Sequence, residues 1–199
     1  MKKIIFLFFF ITFLFSCSST NYVFKNKAQA TGVDFRTGKW LLNEIDAPYS
    51  LEKKLNDQVF EDFQLLLNER VTKVSNAKGL LLVRNILMQP NKNTLKDIKT
   101  GTNFDYFINI KAKNNKNDLN SMSVTNHRYR DNNETNNNEV ELEIYDLNTL
   151  EIIFSQKVVA STGISEGSNS DVHFSKTSNT ILLKAYKKLN KKLLKTSIK

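Results

Sequence analysis

"EVELEIYDLNTLEIIFSQKVVAST", residues 139–162, decides the fold of this chain. Val140, Leu142 and Ile144 alternate with Glu141, Glu143 and Tyr145. A period of two is the spacing of a strand that shows one face to a core. Residues 146–149, Asp-Leu-Asn-Thr, then turn the chain, and residues 151–160 return as the second arm of an antiparallel hairpin. Glu141 and Glu143 share a face. A catalytic carboxylate pair is one reading of them. Carboxylates on the solvent side of a strand are the simpler reading.

Upstream, "FDYFINIKAK" (104–113) puts Tyr106, Ile108, Ile110 and Ala112 on one face of another strand. Between it and the hairpin lies an insertion, 114–138, with ten asparagines, low in complexity and expected to be mobile. It carries His127, Arg128, Tyr129 and Arg130. These four suit an anion or a partner, but basic residues on a solvated loop are common. "NTLKDIKTG" (93–101) predicts a short helix, capped by Asn93 or Thr94 and stopped by Gly101. "GLLLVRNILM" (79–88) is a nearly continuous apolar run and predicts a buried strand. Residues 70–79 either finish the preceding helix or begin a hairpin. That helix follows Pro48, with Ser50 as its cap. Leu51, Leu55, Val59, Phe63, Leu66 and Leu67 form its apolar stripe; Lys53, Lys54, Asp57 and Glu61 face away. Before it, Trp40, Leu42 and Glu44 alternate with Leu41, Asn43 and Ile45 in a short strand. Trp40, the one tryptophan, is read as a core anchor.

Downstream, residues 161–175 read as a polar loop containing Ser161, Asp171 and His173. These are triad residue types, but no nucleophile-elbow motif accompanies them. A helix then runs from about Thr180. Leu182, Ala185, Tyr186, Leu189 and Leu193 fall within an arc of about 100°, and Lys184, Lys187, Lys188, Lys191 and Lys195 fill the opposite side. The order β-α-β-α-β-β-β-α predicts an α/β (α+β) domain over 37–199: a single mixed β-sheet with helices packed on it.

The amino terminus reads as an address. Lys2 and Lys3 precede an apolar run, 4–15, interrupted only by Thr12. A membrane-spanning helix needs about 20 apolar residues, so this run fits an export signal better. Leu14-Phe15-Ser16-Cys17 then resembles the bacterial lipobox, with Phe15 bulkier than usual at its place. Cys17 is the only cysteine, so no disulfide can form within the chain. The resemblance makes its sulfur the point of lipid attachment, with 1–16 removed as signal peptide and 17–36 left as a lipidated, flexible tether. Acyl chains bind a bilayer by about 0.8 kcal/mol per buried methylene, so two or three of them hold a protein firmly.

The chain carries 29 basic and 20 acidic residues, net +9. The imbalance is local. Eight lysines and no acidic residue follow Asp171. That lysine face fits an anionic surface: lipid headgroups, an envelope polymer or an acidic protein. Export argues against nucleic acid as partner. Two histidines and one cysteine do not make a zinc site, and no cofactor motif is present.

"TGTNFDYFINIKAK" (100–113) and "VELEIYDLNTLEIIF" (140–154) resemble two segments of a group of envelope lipoprotein domains. The group includes the curli secretion channel lipoprotein, the outer-membrane lipoprotein activators of penicillin-binding proteins, and the N-terminal domain of the Tol-Pal propeller protein. Leu150 stands where that group often has glycine. The resemblance spans roughly 37–197 and implies a binding or assembly domain without catalytic residues. The expectation is therefore a lipid-anchored protein on the periplasmic face of the outer membrane that docks a protein or polymer. An envelope hydrolase with its site in 161–175 is the alternative.

Overall fold

A computed structural model describes residues 20–26, 32–78, 86–114, 122–124, 136–162, 172–174 and 177–199. The signal segment, Cys17 and His127–Arg130 lie outside them, as does Asp171. The hairpin forms as the alternation requires. β6 (Asn136–Asp146) pairs antiparallel with β7 (Glu151–Thr162), Val140 opposite Val158 and Ile144 opposite Phe154. Tyr145 then pairs with Ile152, so Ile153 is the extra residue of a β-bulge beside the turn. Asp146 Oδ1 accepts the Asn148 N–H at 2.7 Å and closes the turn. Leu150 has φ 56°, the left-handed region that favours glycine.

Around the hairpin a six-stranded mixed sheet assembles in the order β1-β7-β6-β4-β2-β3. β2 (Trp40–Leu42) and β4 (Tyr106–Asn114) are parallel, as are β2 and β3 (Val71–Lys73). Among the described residues three α-helices complete the α+β fold: α1 (Tyr49–Leu67), α2 (Lys92–Thr102) and α3 (Ser178–Thr196). A separate two-stranded ladder joins β5 (Met122–Val124) to β8 (Val172–Phe174), so part of the asparagine-rich insertion pairs with part of the 161–175 stretch.

α1 and α3 cover one face. Leu51, Leu55, Val59 and Phe63 of α1 and Leu182, Ala185, Tyr186, Leu189 and Leu193 of α3 meet Trp40, Ile108, Ile110, Val140, Leu142 and Ile144. Each fully buried aliphatic side chain there contributes about 1.5–3 kcal/mol. Trp40 is wholly buried, stacked on Tyr106 at 4.2 Å and 5.0 Å from Phe35. α2 covers the other face, where Leu95 and Ile98 pack with Leu41, Val74, Ile86, Phe107 and Tyr145.

The structure corrects several expectations. Thr20–Asn26, within the predicted tether, is β1, paired antiparallel with β7 from Thr20↔Thr162 to Asn26↔Gln156. Val33 and Phe35, also within it, are buried. Phe35 N–H bonds to Ile198 O, and Ile198 N–H to Val33 O, tying this segment to the end of the chain. Most of the strand expected at 79–88 lies outside the described residues, and 86–88 form no strand; β3 pairs with β2. α1 is preceded by Pro48, whose carbonyl accepts the Leu51 and Glu52 N–H groups, and Ser50 lies inside the helix. α2 is capped by Asn91, which accepts the Thr94 N–H at 2.9 Å, and ends at Asn103 in the left-handed region. Gly101 sits inside it. Ser161 belongs to β7, not to a loop.

Candidate functional site

α3 begins at Thr177, whose side chain accepts the Thr180 N–H. Its buried stripe fixes its rotation, and that rotation sends Lys184, Lys187, Lys188, Lys191 and Lys195 outward, all exposed. None of the five joins a salt bridge among the described residues. Residues three and four apart are neighbours on a helix, so the lysines form two rows.

One row faces α1. Lys187, Lys191 and Lys195, with Lys199, line a shallow depression of about 520 Å³ together with Gln58, Asp62, Asn190 and Leu194. The carboxylate at its base is engaged: Asp62 accepts from Tyr186 Oη at 2.9 Å, Asn190 Nδ2 at 3.3 Å and Gln58 Nε2 at 3.1 Å. Burial, then the Asp62 charge, holds the Tyr186 phenol well above its ordinary value.

The other row faces β1. Lys188 Nζ stands 4.9 Å from the Tyr22 ring centre, and Lys192 Nζ stands 4.5 Å from that of Phe24. Such placements are cation–π contacts. The sequence pointed to Lys188 but not to Lys192 or to the rings beneath the two ammonium groups.

A second cluster lies on the α2 side of the sheet. Glu143 is buried rather than on a solvent face, which overturns the simpler reading of the Glu141–Glu143 pair. The alternation holds; α2 and the 86–89 segment cover the face that alternation alone assigns to solvent. Glu143 Oε2 accepts Tyr145 Oη–H at 2.7 Å and Gln89 N–H at 3.0 Å. Burial, then the hydrogen bond to Glu143, raises the Tyr145 phenol far above its usual range. Beside them, Asn43 Nδ2 donates to Ile86 O at 2.7 Å and to Asn109 Oδ1 at 2.9 Å, while Asn109 Nδ2 reaches Leu87 O at 3.0 Å. The cluster therefore straps 86–89 onto the sheet. An asparagine in the middle of an apolar strand, as in "LLNEI" and "FINIK", is the signal that would have found it.

The remaining candidates do not converge. Ser161 is paired in the ladder to both Asn21 and Asn137. His173 pairs through its backbone with Ser123, and only its backbone is described. Among the described residues no three His, Cys, Asp or Glu side chains group to hold a metal ion, and no helix is long and apolar enough to cross a membrane. Asp105, in the segment that resembles the lipoprotein group, acts as a tie: its carboxylate accepts Lys39 N–H at 3.0 Å and Lys99 Nζ at 3.1 Å. The Lys39 bond is the main cause that lowers its pKa.

No family model matches the chain, and no curated protein matches it. Several solved structures are similar in fold. PelC from Paraburkholderia phytofirmans, a dodecamer, shares 8% identity over 86% of this chain and 98% of that one, with a TM-score of 0.39. Protein XCC0632 from Xanthomonas campestris shares 8% over 85% and 90%, at 0.38. A neuraminyllactose-binding hemagglutinin homolog from Helicobacter pylori shares 11% over 85% and 88%, at 0.35. Likeness at this level transfers no residue, ligand or partner.

Proposed function

We propose that this chain is a cell-envelope lipoprotein, acylated at Cys17 and held on the periplasmic face of the outer membrane, that binds or assembles a partner and catalyses nothing. The observation that carries the reading is the exposed lysine face of α3: Lys184, Lys187, Lys188, Lys191 and Lys195, without an ionic partner among the described residues. A helix that only needs solvation usually alternates Lys with Glu and gains a few tenths of a kcal/mol per i,i+4 pair. α3 forgoes that gain, and its lysines repel one another until something anionic lies against them. The lipobox-like residues 14–17 support the address, and the resemblance of 140–154 to envelope lipoprotein domains supports a binding role.

Two experiments test it. Metabolic labelling with a clickable fatty acid should mark the wild type and leave Cys17→Ala unlabelled; equal labelling of both would overturn the address. A photo-crosslinker at Lys184 or Lys191 in growing cells should capture one defined envelope component. Recovery of none, from correctly acylated protein, would overturn the binding role.

A further inference from the structure

Among the described residues β1 is an edge strand of the sheet. Among the same residues it pairs only with β7, and alternate residues of its seven turn N–H and C=O groups to an outer side that no described strand pairs. Natural edge strands are usually short, bulged, or blunted by proline and charge. β1 has no bulge and no proline, and Lys25 is its one charge. It is also apolar where it is open: Val23 is 47% exposed and Phe24 36%. Above it, Lys188 and Lys192 sit over the Tyr22 and Phe24 rings. The outward backbone of β1, the Tyr22 and Phe24 rings and two ammonium groups thus lie along one line, with Val23 on the opposite face of the sheet.

We infer that this edge is a docking site for an extended acidic segment of a partner protein, which adds to the sheet beside β1 with its carboxylates toward Lys188 and Lys192. The inference rests on the binding role proposed above and names its surface. Main-chain pairing supplies affinity in strand addition, and the alternate side chains supply specificity. On an added strand, residues opposite Tyr22 and Phe24 point to the α3 side of the sheet, where acidic side chains meet the lysines. A second copy of this chain fits less well. Antiparallel β1-to-β1 pairing about Val23 sets Tyr22 of one copy against Phe24 of the other, and crowds Lys188 and Lys192 of both copies together.

The test uses the acylated chain in nanodiscs of neutral phosphatidylcholine. The probe is a nine-residue peptide alternating Glu and Thr. Controls replace Glu by Lys, or methylate alternate backbone nitrogens in either phase. The acidic peptide should bind, more weakly as salt rises. One methylation phase should abolish binding, and alternate amides of residues 21–25 should gain hydrogen-exchange protection. Lys188→Glu with Lys192→Glu should cut affinity at least about tenfold and transfer preference to the Lys peptide. No binding up to about 1 mM would overturn the inference, as would equal binding of both methylated forms. So would dimerisation of the chain through a Val23→Cys disulfide, or binding to anionic vesicles with none to the peptide. Failure here leaves the proposed function standing if a crosslinker at Lys184 still captures an envelope component; loss of that capture removes the function itself.

Discussion

Tyr145→Phe should cost this fold about 2 kcal/mol, although it removes a single oxygen. The Tyr145 hydroxyl donates to Glu143 Oε2 at 2.7 Å, and Glu143 is only 1% exposed. Hydrogen bonds to charged groups are worth about 1.5–3 kcal/mol, and the buried carboxylate loses one of its two donors. Glu143→Ala should cost somewhat more, about 3 kcal/mol. It leaves the buried Tyr145 hydroxyl without its acceptor, while the Gln89 N–H, on an exposed residue, can rehydrate. Once Glu143 is gone, deleting the hydroxyl should be nearly free. The double variant should therefore resemble Glu143→Ala alone, giving a coupling energy of about 2 kcal/mol. Urea unfolding at pH 7 measures each corner of the cycle. Tyr145→Phe should also lower Tm by about 4–8 °C, since a chain of this size shifts roughly 2–4 °C per kcal/mol. A coupling below about 0.5 kcal/mol, the usual error of additivity, would refute the strap as a cooperative unit.

Other perturbations follow from the same geometry. Gly32→Ala should destabilise by about 1–3 kcal/mol, because a Cβ there would lie 1.5 Å from Thr196 O; thermal melting reads it. Asn91→Ala removes the cap of α2 and should cost about 1 kcal/mol by urea titration. Raising the pH should destabilise the fold from about pH 10, where unfolded tyrosines ionise and the phenols of Tyr145 and Tyr186, held protonated in the fold, do not. Replacing both by Phe should flatten that alkaline limb, whatever it does at pH 7. At the acid end, the lowered pKa of Asp105 gives stability that is present above its unfolded value of about 3.9 and is lost as pH falls below it. Asp105→Asn should remove that part of the acid slope.

The hairpin, α1 and α3 were legible because one face of each is wet and the other dry, and the period of the dry face names the element. The sheet face around Glu143 was not legible in the same way. Alternation says which residues share a face but not what lies over it, and here α2 and the 86–89 segment cover a face with Glu and Asn in it. β1 was missed for the opposite reason. Residues 21–25 are all exposed except the half-buried Tyr22, so no wet-dry alternation marks them. Its signal was three strand-forming residues in a row, Tyr22-Val23-Phe24, between polar neighbours. β3 has three residues, too few for any period. Of the candidate site, the lysines of α3 were readable from spacing and charge. Their division into two rows was not, because it depends on what packs to either side of the helix.

The position of β1 bears on how an anchored protein would be held. Cys17 stands three residues before Thr20, and three residues of chain reach at most about 11 Å. Acylation at Cys17 would therefore tie the lipid almost directly to the sheet, where a twenty-residue tether would have left the domain free to tumble. The tied end is the one where Thr20, Thr162 and Asn136 meet. The Asp146–Glu151 turn lies at the other end of β6, eleven residues or about 35 Å away. α3 keeps the same sense as β1, for Lys188 lies over Tyr22 and Lys192 over Phe24, one turn of helix against two residues of strand. The edge strand and its lysines would then begin beside that anchor and run away from it together. A membrane-bound partner can reach such a surface with the stretch of chain that leaves its own anchor. The acidic segment of such a partner would then lie close to its membrane attachment, and not in a distant domain.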